Sequence, residues 1–359
     1  MASTGQIEMV NLTPDNGAVM DLRELLFLTV MQSEALDATL NMFPGAIHGK
    51  KIGGVGEMDL VGKKMSTCQP TWNSTNIKTQ EKAWDLGEWS IAEQICYKDL
   101  KETLVRYAMR KKTSVSDLTG TDYMTIIVEP LLSQAMENML WRMYWFGDKD
   151  ALNIADGGVI TDGVDTDFFK VCDGFFKRLF AIATANPLQR VTIDANTAAS
   201  YQAQRDQIRS AGVATGILDK LVYDSDIRIR QASDKIVLCT QSYADALAID
   251  AKRTTGSDLQ WEAMFDGLVY ATKFNSQDIL ALPKWDEQIA AFEDNGTTLN
   301  KPHRALYVPK SNLLAGVRSD NLLAELDIWF SKDDQVNRMI AKDEIGTIIW
   351  EDELVQFAY

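Results

Sequence analysis

The residues able to do chemistry in this chain are two histidines, four cysteines and several groups of aspartates, and their spacing assembles no reactive site. His48 lies among glycines and lysines, and His303 follows Pro302 in a turn. Neither has a nucleophile or a second ligand at a useful spacing, so both read as surface or structural residues. No nucleophile elbow, HExxH pair or Cys/His pattern occurs. Gly53, Gly54 and Gly56 form no phosphate-binding loop, because the third glycine and the Gly-Lys-Ser/Thr ending are missing. Asp148 and Asp150, then Asp162, Asp165 and Asp167, lack the sixth-position glycine and twelfth-position glutamate of a calcium loop. Glu57/Asp59 and Glu351/Asp352/Glu353 read as solvated faces. Cys68, Cys96, Cys172 and Cys239 are far apart with no CxxC pair, as expected of buried thiols in a reducing compartment. The expectation is therefore no catalytic, cofactor or metal site, and no enzyme.

The charge points elsewhere. At 359 residues and a formal net charge of −15, the chain is poorly suited to gripping nucleic-acid phosphates with its whole surface. No apolar run reaches the roughly 18–20 residues of a membrane span. The opening MASTGQIEMV has neither the basic flank nor the apolar core of a signal peptide. Positive charge is concentrated instead in two Gly-Lys-Lys triplets, Gly49–Lys51 and Gly62–Lys64. Acidic charge marks residues 1–45, where Glu8, Asp15, Asp21, Glu24, Glu34 and Asp37 face Arg23 alone.

The elements that must carry these charges follow from periodicity. Thr121–Gly147 repeats apolar residues three and four apart (Met124, Ile127, Val128, Leu131, Leu132, Ala135, Met136, Met139, Leu140, Met143), a helix of roughly 25 residues and about 37 Å. Pro130 must kink it or open a second helix. Before it, residues 1–18 read as an extended arm and Val19–Met42 as a helix stopped by Phe43-Pro44-Gly45. Ala46–Gln80, rich in Gly, Lys, Thr and Asn, reads as a long twisted β-hairpin. Ala83–Lys112 reads as a helix with Ile91, Ile95, Leu100, Leu104 and Tyr107 on one face.

Residues 148–165 form an Asp/Gly-rich connector. Residues 166–320 alternate helix (Asp167–Thr184, Asn196–Ala211, Ser242–Lys252, Lys284–Phe292) with strand (Val191–Ile193, Asp226–Arg230, Lys235–Cys239, Leu268–Lys273, Ala305–Val308), which makes an α/β lobe. Leu326–Tyr359 reads as an antiparallel meander turning at Lys332-Asp333-Asp334 and Glu344-Ile345-Gly346, returning to the long helix and not to the lobe. Extended elements that bury little of themselves need contact with something else to offset their ordering entropy, and copies of the same chain are the simplest such partner. The hairpin lysines Lys50, Lys51, Lys63 and Lys64 would dock on acidic residues of a neighbour such as Glu24, Glu34 and Asp37.

This order of segments resembles the major capsid proteins of tailed bacteriophages, with the Hong Kong 97-type capsid fold, most closely those of phages from Bacteroides-type hosts. The resemblance is densest in DFFKVCDGFFKRL, NPLQRVTIDANTAASYQAQ, DKIVLCTQSYADAL, LVYATKFNSQDILALPKWDEQI, KPHRALYVPKSNLLAGV and the terminal DELVQFAY. It implies an α+β chain with an N-terminal arm and helix at 1–45 and an extended E-loop at 46–82. It further implies a peripheral domain with spine helix at 83–150, an axial domain at 151–320, and closing strands of the peripheral domain at 321–359. It also implies hexamers and pentamers in an icosahedral virion shell around double-stranded DNA, assembled in the host cytoplasm with scaffolding, portal and decoration proteins. Some such proteins join neighbours through a lysine–asparagine isopeptide bond. Lys50, Lys51, Lys63, Lys64 and Asn337 supply the residue types, with no motif to fix a pairing. An encapsulin-like nanocompartment shell, a tail-tube or portal component and a soluble α/β enzyme without a motif are the alternative readings.

Overall fold

A computed structural model describes residues 34–58, 77–96, 129–256, 258–318, 327–331, 333–334 and 336–359. In chain order the elements are α1 (Glu34–Thr39), β1 (Asn41–Pro44), β2 (Lys51–Met58), β3 (Ile77–Ala83), β4 (Gly87–Cys96), α2 (Glu129–Phe146), α3 (Phe175–Ala185) and β5 (Arg190–Val191). Next come α4 (Tyr201–Ile208), α5 (Val213–Tyr223), α6 (Ile227–Gln231), β6 (Lys235–Thr240), α7 (Gln241–Thr255), β7 (Glu262–Met264), β8 (Val269–Phe274) and β9 (Gln277–Leu282). The chain continues through α8 (Pro283–Phe292), β10 (Ala305–Pro309), β11 (Leu313–Val317), β12 (Asp327–Ser331), β13 (Val336–Ile349) and β14 (Gln356–Ala358).

Three sheets organise the described residues. The α/β lobe is built on a seven-stranded mixed sheet ordered β5-β14-β10-β6-β9-β8-β7. Strands β1, β11, β13 and β12 lie in that order in a second sheet, with β4 along the other side of β13. Strands β2 and β3 pair only with each other, in an antiparallel ladder running from Lys51↔Ala83 to Met58↔Ile77.

Helix α2 joins the first two sheets. Leu132, Met136, Met139, Leu140 and Met143 are buried as their spacing predicts, whereas Ala135 is exposed. From Met139 the burial spreads round the helix to Trp141, Tyr144, Trp145 and Phe146, so its last two turns meet core on every side but that of the half-buried Arg142. Trp145 meets Trp285 of α8 at a centroid distance of 4.5 Å and Phe175 of α3 at 5.1 Å. One buried cluster therefore runs from Met339 and Ile345 of β13 through α2 to Leu238, Leu306 and Phe357 of the lobe sheet. Arg304, fully buried, stacks its guanidinium on Phe176 at 4.5 Å and pairs with Glu293.

Several local expectations are corrected. Residues 87–96 are a strand, not part of a helix: β4 pairs along β13 from Gly87↔Ile345 to Cys96↔Val336, with Trp89 buried between exposed Glu88 and Ser90. The Ile91/Ile95 spacing that reads as helical fits one face of a strand equally well. Asp226–Arg230 is not a strand. The Asp226 carboxylate accepts the Arg228 N–H at 2.8 Å and starts helix α6, which buries Ile229 and exposes Ile227. Asn41–Pro44, placed in a helix and its stop, is a strand parallel to β11.

Phe168 is exposed in a separate turn, and α3 begins only at Phe175. The helix expected over Asn196–Ala211 is broken into a short turn and α4, and α5 and β9 were not expected at all. Glu344-Ile345-Gly346 is no turn but the middle of the 14-residue β13. The terminal strand β14 does not stay with the meander: it enters the lobe sheet, antiparallel to β10 and parallel to β5. Residues 1–33, 59–76, 97–128 and 319–326, on which the arm, the hairpin tip and the first turns of the long helix fall, lie outside the described residues.

Candidate assembly interface

The hairpin β2–β3 is fixed to the body at its root. Trp84, immediately after β3, is 2% exposed and lies against Gly316 of β11, where an added Cβ would come within 2.5 Å of the indole. Phe43 packs on the same ring at 5.6 Å, and Ala46, Leu86, Leu314 and Ile348 close the cluster. Polar ties lie beside it. Lys82 donates to the Ile349 carbonyl at 2.7 Å and pairs with Asp352 at 2.6 Å. Asp85 pairs with Lys149 at 2.6 Å, and the Leu86 N–H donates to His48 Nδ1 at 3.2 Å. At Gly87 a Cβ would lie 1.6 Å from the Val171 carbonyl oxygen, so only glycine lets the chain pass from hairpin to β4. Gly346, whose Cβ would meet the Asp85 carbonyl at 2.7 Å, permits a second close approach, of β13 to the chain just before β4.

The charged residues expected to make contacts fall into three groups. Lys50 and Lys51 are exposed at the start of the hairpin. Lys51 pairs across the ladder with Glu81 at 2.8 Å, which raises its own pKa and lowers that of Glu81. Glu34 is exposed in the first turn of α1, while Asp37 pairs with Lys310 of its own chain at 3.5 Å. Lys63, Lys64 and Glu24 lie outside the described residues. Trp84, Lys82, Asp85 and Lys149, which hold the root, were not singled out from the sequence. The polar stretch around them hides a tryptophan whose only signal is its size.

The Asp-rich connector is organised around a lysine. Lys177 of α3 places its ammonium 2.6 Å from Asp148, 2.8 Å from Asp150 and 2.8 Å from Asp173. The three carboxylates hold it protonated more strongly than an ordinary lysine, against its own partial burial, and its proximity helps to lower the pKa of Asp173. Among the described residues no group of three or more His, Cys, Asp or Glu side chains is arranged to hold a metal ion, and no helix is long and apolar enough to cross a membrane.

The other reactive types are buried. Burial pushes the Cys172 thiol up to about 12 and the Cys239 thiol well above its ordinary value, which disfavours the thiolate. His303 is buried between Ser242 Oγ at 3.0 Å and the Gln204 carbonyl at 3.2 Å, and burial pushes its pKa down to about 4. These groups cross-brace the lobe. So do two carboxylates that cap helices from outside: Asp250 of α7 accepts the Gly212 and Thr215 N–H groups at α5, and Asp286 of α8 accepts those of Gln241 and Ser242 at α7.

An α/β lobe, a long buried helix, a strand layer and a free-standing hairpin together make the α+β fold of phage capsid proteins. Solved structures share it. A chain of the satellite phage P4 procapsid, a particle that includes a size-determination protein, superposes with a TM-score of 0.51 at 10% identity, covering 92% of this chain and 97% of that one. A chain of Gordonia phage Cozz does so with a TM-score of 0.53 at 10% identity, covering 90% and 85%. No protein-family model matches the sequence, and no curated protein matches it.

Proposed function

We propose that this chain is the major capsid protein of a tailed bacteriophage, akin to those of Bacteroides-type phages, and that it builds hexamers and pentamers of an icosahedral shell enclosing double-stranded DNA. The observation that carries this reading is the hairpin: within a capsid fold, β2 and β3 pair with no other described strand while their root is locked by Trp84 and Lys82. A rigidly rooted but otherwise unpartnered hairpin gains its contacts from a neighbour. The arm at 1–45, E-loop at 46–82, peripheral parts at 83–150 and 321–359 and axial part at 151–320 are the proposed division. The proposed contacts join Lys50, Lys51, Lys63 and Lys64 to acidic residues of the next copy, Glu24, Glu34 and Asp37 among them. The role is structural, in the virion, with assembly in the host cytoplasm beside scaffolding and portal proteins.

Negative-stain microscopy of the purified protein, with nucleic acid measured in the particles isolated from cells, tests this. Closed shells containing DNA are expected. Closed shells holding protein cargo and no DNA would favour an encapsulin-like compartment, rings would favour a portal or tail component, and a monomer at high concentration would refute self-assembly.

A further inference from the structure

We propose that the cavity enclosed by the loop at residues 154–159, the segment at 190–197 and the turn at 293–301 binds a small organic phosphate ester. Such a site needs no second copy of the chain, so phosphate binding and shell formation are separately testable. The cavity has a volume of about 350 Å³, at the small end of ligand pockets. Hydrogen bonds hold its walls. Buried Gln204 accepts the Leu299 N–H at 3.2 Å and donates to the Leu299 carbonyl at 2.8 Å. Asn295 Oδ1 accepts the N–H groups of Thr297 and Thr298 at 2.9 and 2.7 Å, and Thr161 Oγ1 accepts that of Asp294 at 2.9 Å, which ties turn to loop. On the remaining side Tyr359 is clasped by main-chain bonds to Val191 at 3.0 Å and Ile193 at 2.9 Å.

Two cations line this space without a counter-charge. The Arg190 guanidinium lies over the Tyr359 ring at 4.7 Å, and the Lys301 ammonium over the same ring at 4.8 Å and over Phe180 at 3.9 Å. Among the described residues neither pairs with a carboxylate. Glu293, the acidic side chain on the wall, is committed to Arg304 and to Asn300 Nδ2 at 2.9 Å. Burial, with Arg304 and Arg190 nearby, lowers the Lys301 pKa despite Glu293, so an added negative charge would be welcome there. Lys301 also holds a φ of 46°, a backbone that glycine adopts more readily, so the chain keeps a lysine at this position at a conformational cost. Charge selects the ligand. A guanidinium fork beside an ammonium suits the oxygens of a dianionic phosphate better than a lone carboxylate. Ile154, Val159 and Leu299 offer apolar surface to the rest of the ester. A nucleic-acid strand fits less well, since the cavity has no room for a run of nucleotides and a chain of net charge −15 repels one.

Calorimetric titration of the full-length chain with phenyl phosphate at low salt is the test. Saturable binding at a single site per chain is expected, with inorganic phosphate about tenfold weaker for want of apolar contact and phenol silent. Arg190→Gln, at an exposed position, should weaken binding about tenfold or more. Lys301→Gly, which suits the local backbone, should weaken it by a similar factor while the free chain still melts cooperatively. Absence of saturable binding, or binding unchanged in both variants, would overturn the site. Benzoate binding as tightly as phenyl phosphate would overturn the choice of phosphate. A 5′-phosphorylated oligodeoxynucleotide that binds more tightly than phenyl phosphate would overturn the small ligand in favour of a nucleic-acid strand.

Discussion

Replacing Glu293 by glutamine tests how the lobe is pinned to the long helix. Arg304 is fully buried, and Glu293 is the carboxylate it pairs with, its side chain 8% exposed. The guanidinium Nε also donates to the Lys301 carbonyl at 2.9 Å and Nη2 to that of Asn300 at 2.9 Å, while its face lies on Phe176 and, at 5.4 Å, beside Phe146 of α2. Glu293→Gln preserves shape and an acceptor oxygen but leaves the cation without a counter-charge. Breaking a buried pair from one side costs about 3–5 kcal/mol, and the retained hydrogen bond places this case near the lower end, about 3 kcal/mol. On a urea slope of about 3 kcal/mol per molar, the midpoint should fall by about 1 M. Tryptophan fluorescence of the unassembled chain reads it directly, since Trp145 and Trp285 lie within the same aromatic cluster. A fall of less than about 0.3 M would refute the view that this charge is held by its partner. Glu293→Leu/Arg304→Met, which removes both charges, should recover more than half of the loss.

Three further outcomes follow from the geometry. Burial holds Asp286 up to about 6 and His303 down to about 4. The aspartate's raised value means its contribution is full below about pH 4 and lost as pH rises to 6, whereas the histidine's depressed value means its contribution is lost as pH falls from about 6.5 to 4. The two slopes oppose, each about 3 kcal/mol across its window, so Asp286→Asn should steepen acid destabilisation between pH 6.5 and 4 and His303→Gln should weaken it, as read by urea midpoints across that range. Lys177→Met leaves Asp148, Asp150 and Asp173 facing one another; with half-exposed screening the loss should be about 1–2 kcal/mol, and millimolar calcium should restore part of it in a thermal melt. Gly316→Ala pushes the Trp84 ring from its seat and should cost about 1–3 kcal/mol while increasing protease cleavage in residues 46–83, with the lobe left intact.

The sequence made the outline legible where one period dominates. Lys235–Cys239 and Ser242–Lys252 announce β6 and α7 because an unbroken apolar run gives way to helical spacing. The Gly/Lys-rich change at Ala46 marks the hairpin because no core pattern runs through it. It misled where local pattern is degenerate. Ile91 and Ile95 fit helix and strand alike, and only the ten-residue pairing with β13 decides between them. Ile227 and Ile229 alternate like a strand, yet a carboxylate cap makes a helix. The root of the hairpin was illegible for a different reason. Trp84 meets Gly316, Gly87 meets Val171 and Gly346 meets Asp85 only through approaches between distant segments, and no window of sequence contains both sides of any of them.

The placement of β14 bears on when the molecule becomes whole. Strand β10 lies between β6 and β14, and among the described strands β5 pairs with β14 alone. While the ribosome is still translating residues before 356, the lobe stands with β10 uncovered along one side and β5 detached. Phe357, which fills the space beside Phe176 and Phe180, has yet to arrive. Until β14 is in place, β10 presents an open edge, the row of unpaired backbone groups on which another chain adds a strand, so closing the lobe sheet and removing that liability are one event.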